Sequence, residues 1–291
     1  MITPILLEGK PLAEKIKTAI AAEVAGLKSR YGRAPKLVAI QVGEHPSSAV
    51  YIKSQRKAAE AAGIEYELKA LPAAASSADI SALIKELNID PSVSAIIMQL
   101  PLPNGTDAHK LVEAISPAKD AEGMHPANLG KIISGACSIC PCTAAAVMAL
   151  LETTGQRLYG KEAVIIGHSE IVGKPIALML LNKFATTTVC HIATGERGLL
   201  PEHCKRAEVL IVAVGKAGII KGEWIREGAI VIDVGVNRVG NAVVGDVEFN
   251  AAVKRASYIT PVPGGVGPLT TIILMRNTLE LYKAALSGGR E

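Results

Sequence analysis

Leu12, Ile16, Ile20, Val24 and Leu27 return near helical spacing and predict a helix over 11–30. Leu37 to Val42 is a short apolar strand stopping at Gly43. Tyr51 to Ala62 is alanine-rich with no internal glycine or proline, so it reads as a helix, with Gly63 as its stop. Ile64 to Leu68 predicts a strand. Asp79 precedes a helix carrying Ile80, Leu83, Ile84 and Leu87. Val93 to Leu100 is again a strand, and Pro101 and Pro103 impose a loop on it. Alternation of this kind predicts a mostly parallel α/β sheet.

A second series starts near Cys142. Thr143 to Leu151 reads as a helix, Gly155 and Gly160 break the chain, and Ala163 to Ile166 is a strand. Ile176 to Leu181 continues as helix, followed by strands at Thr187 to Cys190, Val209 to Val214 and Ala229 to Val234. That recurrence is expected of a dinucleotide-binding sheet. The last helix, near Thr270 to Ala285, is free to return to the first series. The expected architecture is two-domain α/β: an N-terminal domain over 1–142, a Rossmann-like nucleotide-binding domain over 143–269, and a C-terminal helix at 270–291 rejoining the first.

Composition narrows the class. Of 291 residues 49% are hydrophobic and 20% charged, so disorder is excluded; with 3% aromatics the core must be aliphatic. A net charge of +4, with both signs interspersed, makes no case for nucleic acid. Apolar runs are too short for a bilayer and no secretory leader is evident, which predicts a cytoplasmic protein. Five cysteines argue weakly against a disulfide-built secreted domain. Cys137, Cys140 and Cys142 could offer three thiolates to zinc, but no second cluster completes a site; buried or loop cysteines are the plainer reading, and no metal is expected.

Two sets of residues carry chemistry. Gly167-His168-Ser169-Glu170-Ile171-Val172-Gly173-Lys174-Pro175 leaves a strand and enters a helix, where free amides would face a pyrophosphate. Its glycine spacing departs from G-x-G-x-x-G, so a plain structural turn is the competing reading. Val214-Gly215 and Val234-Gly235 end two further strands, and His191 ends the second; a cofactor lies across such ends. In the first half, Tyr51 and Gln55 share a helical face, Gln99 ends a strand, and Asp120 and Glu122 sit near Gly123 in a loop.

Further motifs occur in order: Gln99-Leu100-Pro101-Leu102-Pro103, Pro141-Cys142-Thr143, Lys221-Gly222-Glu223-Trp224-Ile225 and Thr260 to Pro268. With those above, they make the chain resemble the methylenetetrahydrofolate dehydrogenase/methenyltetrahydrofolate cyclohydrolase family over nearly its whole length. The resemblance implies a homodimeric oxidoreductase with a folate cleft. Tyr51 would orient the folate near its reactive carbon, Gln99 would lie beside it, and Pro263, Gly264 and Gly265 would help enclose substrate. Hydride would pass from methylenetetrahydrofolate to a nicotinamide.

The departures set further expectations. The family's cleft lysine aligns with Gln55, and Lys53 and Lys57 lie off the Tyr51 face. Glutamine cannot replace a titrating ammonium. Glu122 stands where the family generally has aspartate. The expectation is a dehydrogenase with weak or absent cyclohydrolase activity; the alternatives are a conventional bifunctional enzyme and a noncatalytic binding paralogue. His168 replaces an arginine of some NADP-using relatives and Ile192 follows His191, which favours NAD over NADP.

Overall fold

The structure, a computed structural model, describes residues 3–288 apart from the side chains of Pro46 and Ser47. In chain order the strands are β1 (Ile5–Leu6), β2 (Lys36–Val42), β3 (Glu65–Leu71), β4 (Ala95–Met98), β5 (Glu162–Ile166), β6 (Thr186–Cys190), β7 (Val209–Val212), β8 (Ile230–Asp233), β9 (Asn237–Val239), β10 (Ala242–Val244) and β11 (Tyr258–Ile259). The helices are α1 (Gly9–Tyr31), α2 (Pro46–Ala62), α3 (Ser77–Ile89), α4 (Ala108–Ala114), α5 (Pro126–Ile133), α6 (Cys142–Thr153), α7 (Gly173–Leu181), α8 (Ile192–Glu196), α9 (Leu200–Arg206), α10 (Phe249–Ala252) and α11 (Gly267–Gly288).

The chain forms two compact units. One contains Glu14–Lys131, Ala136–Cys142 and the described residues from Thr271; the other contains the described residues up to Ala13, Ile132–Gly135 and Thr143–Thr270. In the first, β3, β2 and β4 make a parallel sheet in that order. Val38, Ile40 and Val42 of β2 and Ile96 and Met98 of β4 pack with Ile80, Ile84 and Leu87 of α3 and Leu111 of α4. Branched aliphatics suit the pleat, and β4 is buried along its whole length. At their C-terminal ends β2 leads into α2, which carries Tyr51 and Gln55, and β4 leads directly to Gln99.

The second unit is a six-stranded parallel sheet in the order β1-β11-β8-β7-β5-β6. Its order reverses beside β5, the strand that opens the series, leaving a crevice at the strand C-termini. Val164, Ile166, Leu210, Val212, Val231 and Ile259 build one face of the core with Leu200 and Cys204 from α9. The residues up to Ala13, read from sequence as part of a 1–142 domain, cluster here because β1 pairs with β11, and Leu7 N–H donates to Ile259 O at 2.8 Å.

Element ends differ from the pattern for local reasons. Helix α3 starts before Asp79, because Ser76 caps it: Ser76 Oγ accepts from Asp79 N–H and the Asp79 carboxylate accepts from Ser76 N–H, a reciprocal capping box. Gly63 ends α2 in the left-handed region, φ 72°, as expected of a stop that needs no Cβ. Among the described residues no helix is long and apolar enough to cross a membrane.

Candidate active site

In the first unit, α2 and the end of β4 carry the polar centre. Tyr51 is 64% exposed, while Gln55, one turn on, is 7% exposed and Gln99 6%. Two donors converge on Gln55 Oε1, Gln99 Nε2 at 3.0 Å and Tyr66 OH at 3.0 Å. Gln99 is held by its own backbone, whose N–H donates to Ile40 O at 2.8 Å. Tyr66, on β3, was not among the residues singled out from sequence: an aromatic at an intermediate strand position carries no signal. Arg56 lies over its ring, 5.6 Å from the centroid, and burial pushes the phenol up to about 12, so it is a proton donor throughout the neutral range. Lys53 and Arg56 instead line an open groove of about 1010 Å³ with Ile52, Leu68 and Leu71, a lining that includes neither Tyr51 nor Gln55.

The Asp120–Gly123 loop is bridged to this sheet at Ile96. Asp120 is a structural carboxylate: it accepts from Gly123 N–H at 3.0 Å, His125 N–H at 2.8 Å and Asn128 Nδ2 at 3.0 Å. Glu122 is different. Desolvation, and secondarily the charge of Asp120, pushes its carboxyl up to about 7. Gly123 has φ 71°, and a Cβ there would stand 2.5 Å from the carbonyl carbon of Cys140. Asn277 Nδ2 ties the loop down, donating to Ala121 O at 2.9 Å and Cys140 O at 3.1 Å. Cys137 and Cys140 are paired as a disulfide, and Cys142 is free with its thiol pushed up by burial and by the charges of Glu122 and Asp120.

In the second unit the turn after β5 is drawn tight. A Cβ on Gly173 would lie 2.0 Å from Gly167 O, and one on Gly167 2.3 Å from Ala213 O. Ser169 Oγ accepts from Val172 N–H at 3.2 Å. The N-terminus of α7 therefore sits against bare backbone, a cradle that fits a dinucleotide pyrophosphate. His168 and His191 face each other with ring centroids 5.4 Å apart, and Ile192 beside them is 76% exposed. Pro263, Gly264 and Gly265 also belong to this unit. Gly264 O accepts from Gly9 N–H at 2.8 Å, and a Cβ on Gly9 would lie 1.9 Å from Gly265 O.

Sequence reasoning missed the carboxylates that hold the strand ends in place. Asp246, fully buried, accepts from Val214 N–H at 2.7 Å, Gly215 N–H at 2.9 Å, Lys216 N–H at 2.8 Å and Asn237 Nδ2 at 2.8 Å. Asp233 in turn accepts from Gly235, Asp246 and Val247 N–H groups. Burial pushes Asp233 up to about 6 despite those bonds. A Cβ on Gly235 would strike Asp246 Cγ at 2.1 Å, so the carboxylate by itself requires a glycine here. The loop after β7 spends three consecutive amides on Asp246, so these three are not open to an anion.

The family model described as the tetrahydrofolate dehydrogenase/cyclohydrolase catalytic domain matches residues 7–122, and that family's NAD(P)-binding domain matches residues 141–286. Over 286 residues the chain is 49% identical to the bifunctional protein FolD 2 of Geobacter sulfurreducens, covering 98% of this chain and 99% of that one. It is similar to the crystal structure of the bifunctional FolD methylenetetrahydrofolate dehydrogenase/cyclohydrolase from Campylobacter jejuni, with 43% identity, a TM-score of 0.92 and coverage of 96% and 98% of the two chains. It is likewise similar to the Trypanosoma brucei FolD complexed with NADP and an inhibitor, at 38% identity, TM-score 0.93 and coverage of 98% and 99%. These bifunctional relatives overturn the expectation of weak or absent cyclohydrolase activity drawn from Gln55 and Glu122, and favour the conventional bifunctional alternative. That expectation treated Gln55 only as a missing ammonium, whereas the residue sits in an ordered network with Tyr66 and Gln99. Matched in both halves and sharing its fold from end to end with such enzymes, the chain belongs to the tetrahydrofolate dehydrogenase/cyclohydrolase family.

Proposed function

We propose that this protein oxidises methylenetetrahydrofolate to the methenyl form with NAD(P) and then hydrolyses that product to 10-formyltetrahydrofolate. The observation that carries the reading is the buried Gln55–Gln99 hydrogen bond at the end of β4, joined by the half-buried Tyr66 from near the start of β3, in a chain matched to both family domains. Tyr51, exposed one turn before Gln55, offers a ring on which the folate can be oriented. Glu122, poised to hold a proton at neutral pH, suits a nitrogen-rich ring that both donates and accepts hydrogen bonds. Pro263, Gly264 and Gly265 are assigned to substrate contacts on the family resemblance alone.

The residues fitted to hold the dinucleotide are Gly167, His168, Ser169, Ile171, Val172, Gly173 and Pro175, with His191, Val214, Gly215, Val234 and Gly235 along the other strand ends. When bound, the nicotinamide supplies the hydride acceptor. NAD is the preferred partner in this reading: exposed Ile192 and the imidazoles of His168 and His191 offer no guanidinium fork to a 2′-phosphate. The working form is a homodimer in the cytoplasm, which sedimentation of the purified protein tests for the dimer.

One spectroscopic experiment tests the whole reading. Methylenetetrahydrofolate is supplied with NAD or NADP, and nicotinamide reduction and decay of the methenyl product are followed together. Turnover in both channels, faster with NAD, is expected. Absence of methenyl decay above buffer would reject the bifunctional reading, and a large NADP preference would reject the cofactor assignment.

A further inference from the structure

Gln55 Oε1 has two lone pairs, and both are taken, one by Tyr66 OH and one by Gln99 Nε2. Among the described residues its Nε2 has no acceptor. Its side-chain carbonyl is thus clamped from β3 and from the end of β4, the two strands that flank β2, and the amide nitrogen is the end left for a ligand. The phenol of Tyr66 keeps its proton, as burial demands, and Arg56 packs on the ring from outside. With Tyr66 OH and Gln99 Nε2 both donating to Oε1, the amide nitrogen is the end that faces away from them.

We propose that Tyr66 is a positioning residue for the hydrolytic half-reaction: by clamping Gln55 Oε1 it presents Gln55 Nε2 as a fixed neutral hydrogen-bond donor to the oxygen that adds to the methenyl carbon. The inference rests on the bifunctional reading above. In the reaction a water oxygen bonds to the methenyl carbon and its proton passes to solvent. The bond from that carbon to N5 then breaks, N5 keeping the electron pair and gaining a proton. The added oxygen loses its remaining proton and becomes the formyl carbonyl on N10. No step requires Gln55 to gain or lose a proton; its contribution is to hold the entering oxygen in line, a task for an oriented N–H group.

The test is a double-mutant cycle in the full-length enzyme, with methenyltetrahydrofolate decay as the readout, kcat and KM taken separately. Tyr66→Phe, which removes one hydroxyl and preserves the packing, is expected to lower cyclohydrolase kcat about fivefold, the worth of one lost hydrogen bond, with little change in KM. In a Gln55→Ala background the same change is expected to have an effect below about twofold, because the group it positions is gone. Gln55→Glu keeps the shape and the acceptor but removes the donor, and is expected to cost about a hundredfold. Equal loss from Tyr66→Phe in both backgrounds, or a Gln55→Glu enzyme as active as the parent, overturns the proposal while leaving the bifunctional reading intact. No cyclohydrolase turnover in the unmodified enzyme overturns both.

Discussion

Asp246→Asn isolates the carboxylate that shapes the cofactor end. The substitution preserves volume and removes the charge. Each carboxylate oxygen accepts two N–H groups: Oδ2 from Val214 and Gly215, Oδ1 from Lys216 and Asn237, all within 2.7–2.9 Å. Whichever oxygen becomes an amide, two donors then face two donors. At about 1.5 kcal/mol for each hydrogen bond to a charged group, the loss is about 3 kcal/mol. Urea denaturation should show that loss as a shifted midpoint at unchanged slope. If about half of it falls on the arrangement of the loop after β7, KM for the dinucleotide rises about tenfold, whereas KM for the folate changes by less than about twofold. A stability loss below about 1 kcal/mol, or a parallel rise in both KM values, would refute the assignment of Asp246 to the cofactor loops.

Gly173→Ala should abolish dinucleotide binding, measured by fluorescence titration, because its Cβ would stand 2.0 Å from Gly167 O and the turn would have to open; an alanine enzyme with unchanged affinity contradicts the cradle. Glu122 sets a pH dependence. Its carboxyl is raised from 4.5 to about 7 in the folded protein, so it favours folding while protonated, and that stability is lost as pH rises through about 7. The difference corresponds to at most roughly 3 kcal/mol between pH 4 and pH 8. Glu122→Gln should flatten this part of the stability profile, and a variant with the parent's slope would show that the carboxyl is not buried as described.

How far the chain could be read beforehand varied with the range of the contact involved. The parallel α/β alternation was legible because strands β2, β4, β5, β7 and β8 are short apolar runs, each bounded by glycine, proline or a polar helix start. The Gly167–Gly173 turn was visible because only glycine tolerates such approach of backbone to backbone, and that requirement is written locally. Tyr51 and Gln55 were placed together by the helical repeat alone. By contrast, β1 is two residues long, and nothing in Ile5–Leu6 announces a partner at Tyr258–Ile259.

The same division runs through the site. Sequence by itself determined the longer strands of the two sheets and the Gly167–Gly173 turn, and so several of the residues that stand at the C-terminal strand ends. Periodicity and glycine geometry are local properties, and they survive without knowledge of the rest of the chain. Tertiary structure alone decided what those residues could do. Asp246 reaches back to amides 30 to 32 residues earlier in the chain, and Gln55 receives Tyr66 from β3 and Gln99 from the end of β4. A glutamine read against a missing lysine is a loss; a glutamine whose carbonyl is held by two donors is an oriented amide, and only the packing of three separate segments makes it one.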